Sequence, residues 1–407
     1  MDHQRIIVLD FGGHFSHVVA RRVRNLHVYC EVKSHTTPLD TLRAMNPAGI
    51  VLAGKRELPG LGVPAFGIEP GEPETRAAAL EAFLKETCGC VGDWNMGDYA
   101  EDMIAQMREK IGDRKVICGL SGGVDSTVSA VMVHRAVGRQ LTCILVDHGL
   151  LRKNEADSVE RLCTKEFDMN FVRVNAQEEF LGKLAGVADP EEKRRIIGET
   201  FIRVFERESR KIGKVGFLVQ GTIYPDVIES GLDGAHMVKS HHNVGGLPDA
   251  VDFDEILEPV RMLFKDEVRQ AGLALGLPAE IVRRQPFPGP GLGVRILDPI
   301  TPERVKLLQE ADAIFREEIE AAGLEISQYF AVLTNIKSVG VRNGRRTLET
   351  AVALRAITTT DYMTAEFVPL SYDILGRAGA RIVNEVPGVN RVVYDITSKP
   401  PGTIEYQ

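Results

Sequence analysis

Apolar residues come in short runs through most of the chain, each closed by a turn residue and separated from the next by a helix-length span. In 5–13, Ile6-Ile7-Val8-Leu9 leads into Asp10-Phe11-Gly12-Gly13, the pattern of a buried strand with a glycine turn, and a helix follows to about residue 26. Residues 29–32 and 49–54 read as further strands. The rhythm then breaks, because 55–74 is rich in Gly, Pro and Glu, and one helix-like segment at 75–86 precedes Trp94. This is the pattern of a small α/β unit.

From Trp94 the rhythm resumes on a larger scale. A helix to residue 111 leads to the apolar run 116–120, a Ser-Gly-Gly turn, and Val128, Val131, Met132 and Ala136 at helical spacing. Apolar runs at 141–147, 171–174 and 217–222 follow, with helix-length spans between them. Such alternation predicts a doubly wound parallel sheet whose ligands gather at the carboxyl ends of its strands. Pro and Gly dominate 286–293, which cannot sustain a regular element. Beyond it the order changes to a helix at 302–322, strands at 330–333, 339–341, 351–356 and 391–396, and a helix at 371–384, an α+β arrangement. The predicted units are 1–93, 94–288 and 289–407, with a polar, extended tail in which Lys399 stands beside two prolines.

Composition narrows the class. The 407 residues are 44% hydrophobic and 26% charged, enough for sizeable cores and against pervasive disorder. A net charge of −8 argues against a general nucleic-acid binder, while leaving room for a local basic pocket. No apolar run reaches the roughly 18 residues of a membrane span, and the first residues lack a secretory pattern, so a cytoplasmic location without membrane partners is expected. The six cysteines are scattered and read as reduced core residues; Cys88-Gly89-Cys90 lacks a second ligand pair for a metal.

Chemistry concentrates at Ser121-Gly122-Gly123-Val124-Asp125-Ser126. Glycines at a strand-to-helix junction let backbone N–H groups approach a phosphate, and Asp125 offers a hard oxygen to Mg²⁺. The same residues also suit an ordinary turn capped by Asp125 or Ser126, and both readings remain open at this level. The mixed charge run 185–200 reads first as a solvated helix face, and His241-His242 as loop or hydrogen-bonding residues rather than metal ligands.

The six-residue loop resembles that of the N-type ATP pyrophosphatases. Together with Val146 to Lys153, Lys183 to Val187, Gln220 to Thr222, Tyr224 to Ser230, Lys239 to Pro248, Gln285 to Leu292 and Val393 to Thr403, it makes the chain resemble the GMP synthetases from about Trp94 onward. The resemblance implies Mg-ATP adenylation of the C2 oxygen of XMP, then displacement of AMP by ammonia. It assigns Asp125, Ser126 and Lys265 to catalysis, and Ser121, Gly122, Gly123, Asp125 and Ser126 to the ATP phosphates. Val146 falls to the adenine, Asp125 to Mg²⁺, and Arg152, Lys239, Gln285, Arg391, Lys399, Ile404 and Glu405 to XMP. It further implies a homodimer formed by the last domain and a lid at 185–200.

The front of the chain resembles a class I glutaminase domain over Ile6 to Gly13, Ala20 to Val23 and Tyr29 to Val32, and then departs from it. Glu69 stands where a nucleophilic Cys is expected, Glu72-Pro73-Glu74 is all that remains of a His-Pro-Glu element, and the stretch between them is missing. The expectation is therefore a remnant without glutaminase activity, serving as a structural or docking module. Ammonia would then come free or from a separate glutaminase subunit. Departures at Gly344, Leu348 and Gln407 leave room for another purine nucleotide or amine donor, and the shortened front for a non-catalytic nucleotide-binding regulator.

Overall fold

The computed structural model describes residues 3–12, 15–54, 60, 62–72, 75–229, 253–359 and 362–407. Three sheets organise them. The first is wholly parallel, ordered β2 (Cys30–Ser34), β1 (Ile6–Asp10), β3 (Gly49–Ala53), β4 (Ala65–Ile68). Its central strands are apolar on both faces, as a sheet covered on two sides requires.

The second sheet is also parallel and runs β7 (Asn170–Asn175), β6 (Leu141–Asp147), β5 (Val116–Leu120), β8 (Phe217–Val219), β9 (Glu255–Leu257). The chain builds outward from β5 through β6 and β7, then crosses back to lay β8 on the other side of β5. That reversal puts the end of β5 at a topological switch point, where a crevice opens in folds of this kind. All seven residues of β6 are buried.

The third sheet is mixed: β10 (Gln328–Arg342) and β11 (Arg345–Thr358) form a long antiparallel hairpin, β12 (Glu366–Phe367) pairs antiparallel with β11, and β13 (Val389–Tyr394) lies parallel to β11. The hairpin is longer than the apolar runs suggested. Its turn is Asn343-Gly344, both with positive φ (52° and 74°), the pair that matches strand twist. The helix Pro302–Ala321 and the helix Tyr372–Glu385 cover one face.

The first two sheets share a core. Tyr224, Ile228 and Phe264, from the loops and helices of the second sheet, are buried with Ile6, Val8, Val23 and Cys30 of the first. At the same seam Arg24 is buried, and its Nη1 donates to both Glu267 oxygens at 3.0 and 3.1 Å. Trp94 Nε1 adds a hydrogen bond to Glu267 Oε1 at 2.6 Å, and its ring lies 4.5 Å from the Arg24 guanidinium.

One expectation changes here, and one segment gains a defined structure. The Pro/Gly stretch 286–293 is packed rather than a bare connector: Leu292 N–H donates to Leu150 O at 2.8 Å, and Gly291–Arg295 form a buried 3₁₀ turn. The segment expected as a lid is the opening of a 23-residue helix, Pro190–Ile212. Its outer face carries ion pairs such as Arg195 to Glu199 (2.8 Å), while Lys193, Ile197 and Thr200 are buried. Lys193 Nζ donates to Ile296 O (2.6 Å) and Gln407 Oε1 (2.9 Å), fastening that turn to the end of the chain.

Candidate active site

The loop after β5 decides between a capped turn and an anion cradle. Gly123 is the N-cap residue of the helix Val124–Val137, and no side chain caps the helix. Ser126 and Thr127 turn their hydroxyls back to Gly123 O, at 3.2 and 2.8 Å, and Ser121 Oγ lies 3.1 Å from Ser126 Oγ. Helix N–H groups without a side-chain cap form an anion-binding end. Gly221, beyond β8, packs so closely on this end that a Cβ there would stand 2.8 Å from Ser126 N.

Asp125 does not cap the helix either. Its Oδ2 accepts a hydrogen bond from Lys265 Nζ at 2.6 Å, while its Oδ1 is buried and has no hydrogen-bond partner among the described residues. An unpartnered buried carboxylate oxygen beside a helix N-terminus is chemically suited to a hard cation such as Mg²⁺. Among the described residues no group of three or more His, Cys, Asp or Glu could hold a metal, so a cation here would take most of its oxygens from a nucleotide and water.

One cleft joins this loop to several other predicted residues. Ser121, Gly122, Gly123, Val146, Arg152, Lys265 and Gln285 line it, with His148, Glu155, Phe201, Arg284 and Phe287. Arg152 lies 4.1 Å over the Phe287 ring and donates to Pro286 O at 3.1 Å, and Gln285 Oε1 accepts the Tyr329 N–H at 2.7 Å. The 286–293 stretch thus forms one wall and ties the third sheet to it.

His148 is a buried wall residue whose Nδ1 accepts the Leu150 N–H at 3.0 Å, leaving Nε2 to carry the proton of the neutral ring. Burial lowers its pKa to about 4. An unfolded His protonates near pH 6.5, so between that pH and about 4 the unfolded chain binds more protons. The resulting stability, about 3 kcal/mol, is complete above pH 6.5 and disappears as the pH falls to 4. In urea titrations His148→Asn should therefore lose less unfolding free energy between about pH 7 and 4.5 than the parent. Parallel losses would show that another group controls the acid limb.

Family models match "GMP synthase C terminal domain" over residues 317–406 and "NAD synthase" over 97–191. The glutamine-hydrolyzing GMP synthase of Acetivibrio thermocellus is 47% identical over 511 positions, covering 100% of both chains. The enzyme of the same name from Clostridium botulinum (strain Eklund 17B / Type B) is 47% identical over 513, again with 100% of both covered. The chain belongs to the GMP synthase family. Among solved structures, NMN synthetase from Francisella tularensis aligns with 58% of this chain and 89% of its own, at 13% identity and a TM-score of 0.38. The alignment to the Acetivibrio GMP synthase spans 511 positions against 407 residues here, a difference of 104.

In this GMP synthase family member the remaining predicted residues are not in the cleft wall. Arg391 stands exposed on β13, with Nε on Ser338 Oγ at 2.5 Å, in a groove beside the helix Tyr372–Glu385. Lys399 Nζ donates to Tyr362 O at 2.7 Å. The tail, expected to be extended, is folded back by two buried arginines. Arg355 donates to the carbonyls of Thr397, Thr403 and Ile404, each at 2.9 Å, and Arg295 grips both Glu405 oxygens at 2.9 and 2.7 Å. Buried guanidiniums need such partners, which is why a polar tail docks instead of fraying. Lys239, His241 and His242 lie outside the described residues. Sequence reasoning did not single out Glu155 or Arg284 for the site, although each lies close to a block it had singled out, and it had His148 only as a member of the block Val146 to Lys153.

Proposed function

We propose that the chain converts XMP to GMP with ATP and ammonia. The C2 oxygen of XMP attacks the α-phosphorus of ATP, the bond to the β-phosphate oxygen breaks, and pyrophosphate leaves. Ammonia then attacks C2, the C2–O bond breaks, AMP departs with the oxygen, and a proton is lost to solvent. The observation that carries this reading is the uncapped loop with Lys265 on Asp125, set in one cleft with Val146, Arg152 and Gln285.

In this scheme the loop N–H groups and Lys265 bind the phosphates that become pyrophosphate, and Val146 faces the adenine. Arg152 and Gln285 hold XMP. Proximity does much of the work, because the two nucleotides react within one crevice. Mg²⁺ at Asp125 Oδ1 would supply charge neutralisation to the departing pyrophosphate.

Glutamine is not the donor in this reading. The strand β4 ends at Ile68, and Glu69 stands at its turn, with its N–H on Glu72 Oε2 at 3.2 Å. All six cysteines are free, and burial raises the thiols of Cys30 to about 11 and of Cys88 and Cys163 to about 12, opposite to what a nucleophile needs. The third sheet would pair two copies: Val339, Val341, Leu348 and Val393 are exposed apolar residues on it. A cytoplasmic setting goes with this chemistry.

Mixing the protein with ATP, Mg²⁺, XMP and ammonium should release AMP, pyrophosphate and GMP. Glutamine in place of ammonium should leave the rate at the level of its contaminating ammonia. No AMP release at any ammonium concentration would overturn the reading. GMP formation from glutamine by the purified chain would overturn the donor assignment alone.

A further inference from the structure

Arg284 follows the short helix Ala279–Val282 and precedes the Pro/Gly wall. Its side chain is only 21% exposed and reaches across the cleft in two directions. Nη1 donates to the Gly122 carbonyl at 3.3 Å, inside the phosphate loop, and Nη2 donates to Ser158 Oγ at 3.0 Å on the helix Glu155–Arg161.

Arg284 shares its near carboxylate with a second guanidinium. Lys265 is matched by Asp125 at 2.6 Å. Among the described residues Glu155 is within ion-pair distance of two guanidiniums, Arg152 at 3.5 Å and Arg284 at 3.9 Å, with Asp312 and Glu280 as further counter-charges to Arg152 and Arg284. Glu155 Oε2 already accepts the backbone N–H of Arg152 at 3.0 Å, and Arg152 Nε is buried without a hydrogen-bond partner among the described residues. Arg284 therefore has only a long, shared ion pair with Glu155 beside the loop, and burial lowers its pKa. A half-buried guanidinium so placed is stabilised by an anion.

We propose that Arg284 is a positioning residue for the pyrophosphate end of the nucleotide. By holding the Gly122 carbonyl from outside, it fixes the peptide plane shared with the Gly123 N–H. In a trans peptide these two groups point in opposite directions, so the N–H is kept turned into the loop. In the structure that N–H rests on Ser121 Oγ at 3.3 Å, a long bond that a phosphate oxygen can replace. Arg284 thus couples the wall that carries Gln285 and Phe287 to the loop that carries the phosphates. The inference rests on the ATP chemistry proposed above.

Calorimetric titration with inorganic pyrophosphate and Mg²⁺ tests it without turnover. Arg284→Met should weaken pyrophosphate binding by about 30–100-fold, as expected for losing a charge-assisted contact together with its organising effect. Arg284→Lys keeps the charge without the two-point bridge and should lose about 10-fold. Ser158→Ala releases one arm of the bridge and should weaken binding a few-fold, about 3. In turnover with XMP the Arg284→Met variant should raise KM for ATP with KM for XMP unchanged. Parental pyrophosphate affinity in folded Arg284→Met would overturn the proposal. A parent that binds pyrophosphate but forms no AMP from XMP would instead overturn the function on which it rests.

Discussion

Lys265→Met is expected to lower ATP-dependent AMP release by about 10²–10³-fold while the protein remains folded. Lys265 opens the helix Lys265–Ala274, and its Nζ sits 2.6 Å from Asp125 Oδ2 at the loop where pyrophosphate would develop charge. A fixed cation there is stronger against the leaving group than against bound ATP, so kcat should fall more than KM rises. The structural cost should be small, because Asp125 is 24% exposed and water can take the place of the ammonium. Lys265→Arg keeps the charge with a different reach and should recover part of the loss. Steady-state rates for Lys265→Met within about threefold of the parent would remove Lys265 from the reaction.

Arg24→Met should destabilise the protein by about 3–5 kcal/mol, the usual cost of orphaning one half of a buried ion pair. Glu267, whose side chain is 7% exposed, would keep only Trp94 Nε1 and the Phe264 N–H as partners. Arg24→Met/Glu267→Met should win back part of that loss, since no charge is left without a partner. Urea unfolding can be followed through Trp94, the single tryptophan of the chain, which lies against both partners. AMP release should also fall in Arg24→Met, because Glu267 and Lys265 share the first turn of one helix. A loss under about 1 kcal/mol would mean that the front unit is only loosely attached.

The sheets and the strand-to-helix loop from Ser121 to Ser126 were legible because their signals are local. Val116 to Leu120 is an apolar run closed by Ser-Gly-Gly, and strands buried on both faces announce themselves as such. Whether Asp125 capped its helix was not legible, since capping and ion pairing with Lys265 need the same side chain and differ only in a partner 140 residues away. Strand β9, Glu255–Leu257, is three residues beside an acidic stretch, too short for periodicity to register. The hairpin of β10 and β11 was underestimated although Asn343-Gly344 marks its turn, because exposed positions such as Lys337 and Arg346 break the apolar alternation. The tail's docking depended on Arg295 and Arg355, whose burial no local pattern reveals. Arg284 stayed unread for the same reason: its meaning lies in Gly122 and Ser158, both distant in sequence.

The core shared by the first two sheets bears on how this molecule comes apart. Ile6, Val8 and Val23 pack with Tyr224, Ile228 and Phe264, so the front unit cannot peel away without baring the flank of the second. Unfolding across that boundary is then a single cooperative event, in which the first and second sheets are lost together. What looks in the sequence like a detachable leading segment is, in mechanical terms, a keel.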